Sequence, residues 1–143
     1  MIAISLPTTL RDSCSEIDYF TLNDASRNVN YGKDNYLFCD VFGYDATSPD
    51  WHGPNWYRIA GPAGTMITET ITEKYHCNTY RTTWLNGVHP TMQDETVTRT
   101  ICINVDGITC DKEVHIQIRN CGSYFLYNLP DVPNHYYARY CTE

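Results

Sequence analysis

The stretch Val114-His115-Ile116-Gln117-Ile118-Arg119 decides the fold, because β-branched residues alternate in it with polar ones. A period of two puts Val114, Ile116 and Ile118 on one face of an extended chain and the polar residues on the other, the pattern of a half-buried strand. Upstream, Thr96-Val97-Thr98-Arg99-Thr100-Ile101-Cys102-Ile103-Asn104-Val105 is β-rich and alternates in part. Downstream, Gly122-Ser123-Tyr124-Phe125-Leu126-Tyr127-Asn128-Leu129 reads as a more fully buried strand stopped by Pro130. Asn55-Trp56-Tyr57-Arg58-Ile59-Ala60 is a shorter one stopped by Gly61-Pro62. Residues 18–22, 36–40, 66–72 and 80–85 are weaker strand candidates, and 41–54, with Gly43, Pro49, Gly53 and Pro54, reads as a long loop. No window carries a 3.6-residue period. The reading is a single all-β domain of short antiparallel strands with long irregular connections. Strand phase places Trp56, Trp84, Ile116, Ile118, Tyr124, Leu126 and Leu129 in its core.

Asp106-Gly107, between two of these strands, is a hairpin signal that admits two registers. A two-residue turn sets Val105 opposite Ile108 and Cys102 opposite Asp111, with Cys110 on the other face. A three-residue loop of Val105, Asp106 and Gly107 sets Asn104 opposite Ile108 and Cys102 directly opposite Cys110. Gly107, at the left-handed third position of that loop, and the two sulfurs support the second register.

Seven cysteines, at 14, 39, 77, 102, 110, 121 and 141, span nearly the whole chain. None shows the Cys-x-x-Cys spacing of a zinc knuckle or redox dithiol. An oxidised, extracellular framework is the default reading, and the odd count leaves one sulfur without an internal partner. The start, Met1-Ile2-Ala3-Ile4-Ser5-Leu6-Pro7, lacks a basic n-region and is too short for a signal peptide, so export implies a removed leader or an excised fragment. A net charge of −7 with scattered Lys and Arg argues against nucleic acid, and no run approaches a membrane span. Twelve Tyr and three Trp against four Phe favour amphipathic rings, which suit either a thin core whose edges meet water or a binding surface.

Trp56-Tyr57-Arg58-Ile59, followed by Gly61 and Gly64, resembles a stretch of the eight-cysteine module of uromodulin and the zymogen-granule glycoproteins. So do Cys77-Asn78-Thr79 with Trp84-Leu85-Asn86-Gly87-Val88-His89-Pro90, then Val97-x-Arg99-x-x-Cys102, Cys121-Gly122-Ser123-Tyr124-Phe125-Leu126-Tyr127-Asn128-Leu129 and Tyr140-Cys141-Thr142. Cys14, Leu22, Arg27 and Cys39-Asp40 fit its front end. The resemblance covers residues 14–143 and leaves 1–13 as an N-terminal extension. It implies the bridges Cys14–Cys121, Cys77–Cys141 and Cys102–Cys110, the last in agreement with the three-residue loop. It also implies two departures. A bridge between cysteines near Thr70 or Ile71 and at the position of Thr109 is absent, and the partner of Cys39, near Tyr136, is missing. Cys39 is therefore the free thiol. Leu37 and Phe38 favour shielding it in a buried strand; exposed, it would link two chains into a dimer. In such proteins the module is extracellular, non-catalytic and carries glycans, but this chain has no Asn-x-Ser/Thr acceptor.

His89, in the Asn-Gly-x-His-Pro turn, is the most tempting catalytic residue, yet no nucleophile or orienting partner is named by the sequence; a histidine holding a turn is the plainer reading. Cys39 with His52, His76, His89, His115 or His135 forms a thiolate pair only if its pKa falls, and Asp40 beside it acts the other way. The histidines and carboxylates show no spaced metal site, no cofactor motif is present, and Glu69 and Glu73 show no pairing for glycoside chemistry. Two functions follow: an extracellular interaction module with a protein or glycan ligand, or a small carbohydrate-binding domain using exposed Trp and Tyr. Trp51, His52, Trp56 and the Tyr136, Tyr137, Tyr140 end are the candidate ligand surface.

Overall fold

The computed structural model describes residues 14–143, so the extension assigned to residues 1–13 lies outside the described residues. Six strands, β1 (Phe20–Leu22), β2 (Asn55–Ile59), β3 (Thr83–Asn86), β4 (Val97–Val105), β5 (Ile108–Asn120) and β6 (Phe125–Leu129), form one sheet in the order β1-β2-β6-β5-β4-β3. Neighbours run antiparallel except β1 and β2, which are parallel. Helix is confined to Cys14 and Ser15 and to two 3-10 turns, Ala25–Arg27 and Gly61–Ala63, among the described residues. The all-β reading holds.

Register shows which side chains the sheet buries. Ile101 faces Val114, Ile118 faces Tyr127, Tyr127 faces Tyr57 and Leu85 faces Ile101, so these residues share one side. With Leu22, Ile59, Ile103, Ile116 and Leu129 they form the core, closed on the far side by Cys39, Trp51, Ile67, Ala138 and Tyr140 from the long loops. Of the seven residues placed in the core from sequence, Ile116, Ile118, Leu126 and Leu129 are buried, while Trp56, Trp84 and Tyr124 are only half-buried. In β2 and β3 the inward positions belong to Tyr57 and Leu85, which leaves each preceding tryptophan on the opposite face.

The β4–β5 turn corrects the three-residue loop. Val105 pairs with Ile108 across a two-residue turn, with Asp106 at φ 44° and Gly107 at φ 86°. Two left-handed residues twist the turn in the sense the flanking strands require. The register then shifts, so that Ile103 pairs with Lys112 and Cys102 with Glu113. The extra residues of β5 bring Cys110 back beside Cys102, Cα to Cα 4.7 Å. Asn104 sits at this irregularity, and its side chain donates to the Thr72 carbonyl at 2.7 Å and to Thr82 Oγ1 at 2.9 Å and accepts from Trp84 Nε1 at 3.0 Å.

Two strand candidates form no strand. Residues 36–40 contribute only the bridge Cys39 to Thr47, and residues 66–72 only Ile67 to Thr142. Their backbone groups bond to distant loops instead: Asp40 N–H to the Ala138 carbonyl, Thr68 N–H to the Cys141 carbonyl. The C-terminal residues thread between two segments, Thr142 bonding Arg27 and Val29, and Glu143 bonding Thr65 and Met66. Gly64, at φ 114°, lines that channel, and a Cβ there would collide with the Glu143 carbonyl.

Candidate functional site

The deepest polar cluster is ionic. The 3-10 turn at Ala25–Arg27, capped by Asp24 accepting the Ser26 N–H at 2.8 Å, delivers Arg27 into the interior with no exposure. Its guanidinium grips Asp40 at 2.7 and 3.1 Å, reaches the Tyr140 carbonyl at 3.0 Å, and binds Asp50 through Nε at 3.2 Å and through a second, short contact. Asp50 also accepts the Asn23 and Asp24 N–H groups. Burial alone would raise the Asp50 carboxyl, but the charge of Arg27 and these hydrogen bonds outweigh it and hold it below its ordinary value. Arg139, also buried, donates to Ser26 Oγ and the Cys77 carbonyl and lies over the Phe38 ring. Burial, and then the neighbouring charge of Arg27, lowers Arg139 to about 10. The cluster ties the first turn, the 40–50 loop and the C-terminus together, and nothing in it is open to a substrate.

His89 has the orienting partner that the sequence leaves unnamed. Its Nδ1 lies 2.6 Å from Glu69 Oε2, its backbone N–H donates to the same oxygen at 2.9 Å, and its Nε2 lies 2.7 Å from the Tyr127 hydroxyl. That hydroxyl also accepts the Ile67 N–H at 3.1 Å. In the neutral imidazole with its proton on Nδ1, that proton is donated to Glu69 and Nε2 accepts from the Tyr127 hydroxyl. The hydrogen bonds from His89 hold Glu69 below its usual value. Carboxylate, imidazole and hydroxyl form a relay in order, but the hydroxyl is a buried phenol whose pKa burial pushes up. The relay therefore ends inside the core and pins the 86–90 turn to β6.

Six cysteines are paired: Cys14 with Cys121 across 107 positions, Cys77 with Cys141 across 64 and Cys102 with Cys110 across 8. Cys102 and Cys110 also approach Glu113, but both sulfurs are spent on each other. Cys39 is free and 1 % exposed, in the core cluster against which Tyr136 packs. Burial first, and the Asp40 charge second, raise its pKa, so it stays a thiol. A chain-to-chain bridge through it requires the side chain to leave the core.

Among the candidate ligand residues, Trp51 needs correction. It is 3 % exposed, stacked on Tyr57 at 4.6 Å, with its indole N–H donating to Asp131 at 2.8 Å. It belongs to the core because its ring fills the space between Tyr57 and Tyr140, and Tyr140 is likewise fully buried. His52 is exposed and stacked on Phe20 at 4.3 Å. Tyr136 is half-buried with its hydroxyl on Asp111, and Tyr137 is exposed with its ring edge-on to Tyr80. These residues contact different parts of the fold and make no common platform. Unmarked in the sequence, Ile71, Tyr80 and Ile108 are exposed around a cleft of about 320 Å³, floored by Thr82 and Asn104 and crossed at its rim by Lys74 and Asp106 at 3.4 Å. Ile71 and Thr109, where the resemblance implies the missing bridge, both line it.

Three disulfides require an oxidising compartment, and the domain is extracellular. Among the described residues no helix is long and apolar enough to cross a membrane. A family model described as a uromodulin-like domain matches residues 57–142. The chain is similar to uromodulin of Rattus norvegicus, 35 % identical over 134 residues, which is 93 % of this chain and 18 % of that protein. It is also similar to the pancreatic secretory granule membrane major glycoprotein GP2 of Canis lupus familiaris, 33 % identical over 133 residues, 92 % of this chain and 23 % of that protein. The chain thus spans about a fifth of the length of these relatives. On the matched profile and on identity sustained over nearly its whole length, the chain belongs to the uromodulin-like domain family of extracellular glycoproteins.

Proposed function

We propose that the domain is a non-catalytic extracellular interaction module. One observation carries this reading: the most complete acid–base arrangement, Glu69–His89–Tyr127, ends on a phenol buried in the core, where no substrate reaches the proton it holds. The other reactive group, the Cys39 thiol, is equally enclosed. What faces outward is instead suited to contact, with Tyr36, Phe42, Tyr44, Tyr75 and Tyr80 exposed on loops. A net charge of −7 turns the surface away from nucleic acid.

A tetramerised form of the domain, probed against arrays of extracellular proteins and glycans, tests this. Saturable binding is expected to survive His89→Gln, and mass spectrometry of bound components should find no covalent change. Chemical conversion of a bound component, abolished by His89→Gln, overturns the reading, as does the absence of any saturable partner.

A further inference from the structure

The face of the sheet turned away from the core has an unusual chemistry. Strand register aligns Trp56, Asn128, Gln117 and Thr98 in one row across β2, β6, β5 and β4, and Asn86, Thr100 and His115 in the next. Neither row holds a carboxylate, an ammonium or a guanidinium. Asn128 Nδ2 donates to Gln117 Oε1 at 3.0 Å, which orients both amides and leaves Asn128 Oδ1 as an acceptor and Gln117 Nε2 as a donor. Thr100 Oγ1 and His115 Nδ1 lie 3.3 Å apart. Thr98, Gln117 and His115 are exposed and Asn128 is half-buried, and with Pro54, Ile116, Leu129 and Pro130 they line a depression of about 390 Å³. Trp56, half-buried, stands opposite Asn128 at the end of the row, outside that lining.

We propose that this face is a binding site for a neutral oligosaccharide. The inference deepens the interaction-module reading and rests on it. An indole face presents negative π density to the weakly positive C–H bonds of a sugar ring, while oriented amides and hydroxyls match hydroxyl groups that donate and accept at once. Four strands span about 14 Å, the reach of a short chain of sugars rather than of a single ring. The chemistry also disfavours the other partners. The flanking cations are engaged, Arg58 over the Tyr124 ring and Arg119 with Thr96, and the net charge of −7 repels an anionic ligand. A protein partner would need a contiguous apolar and aromatic centre, which these rows lack.

The test is a titration of the isotope-labelled domain, followed by amide and indole NMR signals. The probes are maltotriose, mannotriose, chitotriose and lacto-N-tetraose, with 3′-sialyllactose and a heparin hexasaccharide as charged counterparts. At least one neutral probe should give saturable shifts at the Trp56 indole and the Asn128 and Gln117 side-chain amides. The double variant Asn128→Ala/Gln117→Ala should weaken that binding about ten-fold with signal dispersion kept, and Tyr80→Ala should leave it unchanged. Failure of every neutral probe, a response to charged sugars alone, or shifts gathered around Tyr80 overturns the site. In any of those cases the interaction-module reading stands or falls separately, on whether the arrays yield a saturable partner.

Discussion

Arg27 and Asp50 show how much one buried residue can organise, and how little of it is written locally. Nothing near Arg27 distinguishes it from a surface arginine, because its partners lie 13 and 23 positions on and a carbonyl ligand 113. Removing one partner of such a pair leaves an uncompensated charge, so Asp50→Asn should cost about 3–5 kcal/mol in a denaturant titration. The sign of the pH effect follows from the lowered Asp50 value: the unfolded chain binds its proton more readily, so stability rises with pH. The Asp50 contribution is complete above the ordinary carboxylate range and is lost as pH falls through the depressed folded value. Titrations at successive acid pH values should show a flatter dependence in Asp50→Asn than in the parent. Cys39 makes the second residue-scale prediction. Its thiol should react with a maleimide only as fast as the core opens, and denaturant should accelerate labelling in step with global unfolding. Rapid labelling in native buffer would contradict its enclosure.

At the scale of elements, the sheet was largely legible and its details were not. β2 and β5 alternate buried and open positions over much of their length, while β4 and β6 hold consecutive buried residues, so alternation announces the first two and a β-branched or apolar run the others. Strand phase read from the sequence puts Trp56 and Trp84 in the core, yet the neighbouring Tyr57 and Leu85 hold the inward positions, because a one-residue difference in phase exchanges the two faces. The hairpin register escaped local reasoning because Asn104 is anchored to Thr72, Thr82 and Trp84, contacts no turn rule contains. Residues 36–40 and 66–72 look like strands, but their hydrogen-bond partners are loops. The neutral outer rows were present in the sequence only as scattered polar residues until pairing aligned them. The bridges differ in weight by loop length. By chain entropy Cys102–Cys110 is worth about 2.5 kcal/mol and Cys14–Cys121 about 4.8 kcal/mol. Replacing the first pair by Ala should therefore shift a denaturation midpoint about half as far as replacing the second. Equal shifts would show that the short bridge does more than close its loop.

For the whole molecule, the seating of the C-terminus matters most, because Thr142 and Glu143 bond to segments on both sides. Gly64→Ala places a methyl against the Glu143 carbonyl in a backbone conformation that alanine resists, and should cost more than the about 1–2 kcal/mol of left-handed strain alone. A loss below that range, read from a melting curve, would mean that the last residues slide aside freely. The bridges give the chain one further property, a mechanical one. Tension applied between Cys14 and Cys141 follows the shortest covalent route, across the Cys14–Cys121 sulfurs and then along the backbone to Cys141. Only those final residues, β6 among them, lie in the path, so the oxidised domain can lengthen by no more than about 70 Å. Residues between Cys14 and Cys121 lie outside that covalent path until the Cys14–Cys121 bridge is reduced. In a single-molecule stretching experiment the oxidised chain should behave as a short, stiff tether, and a reductant should release several times that length.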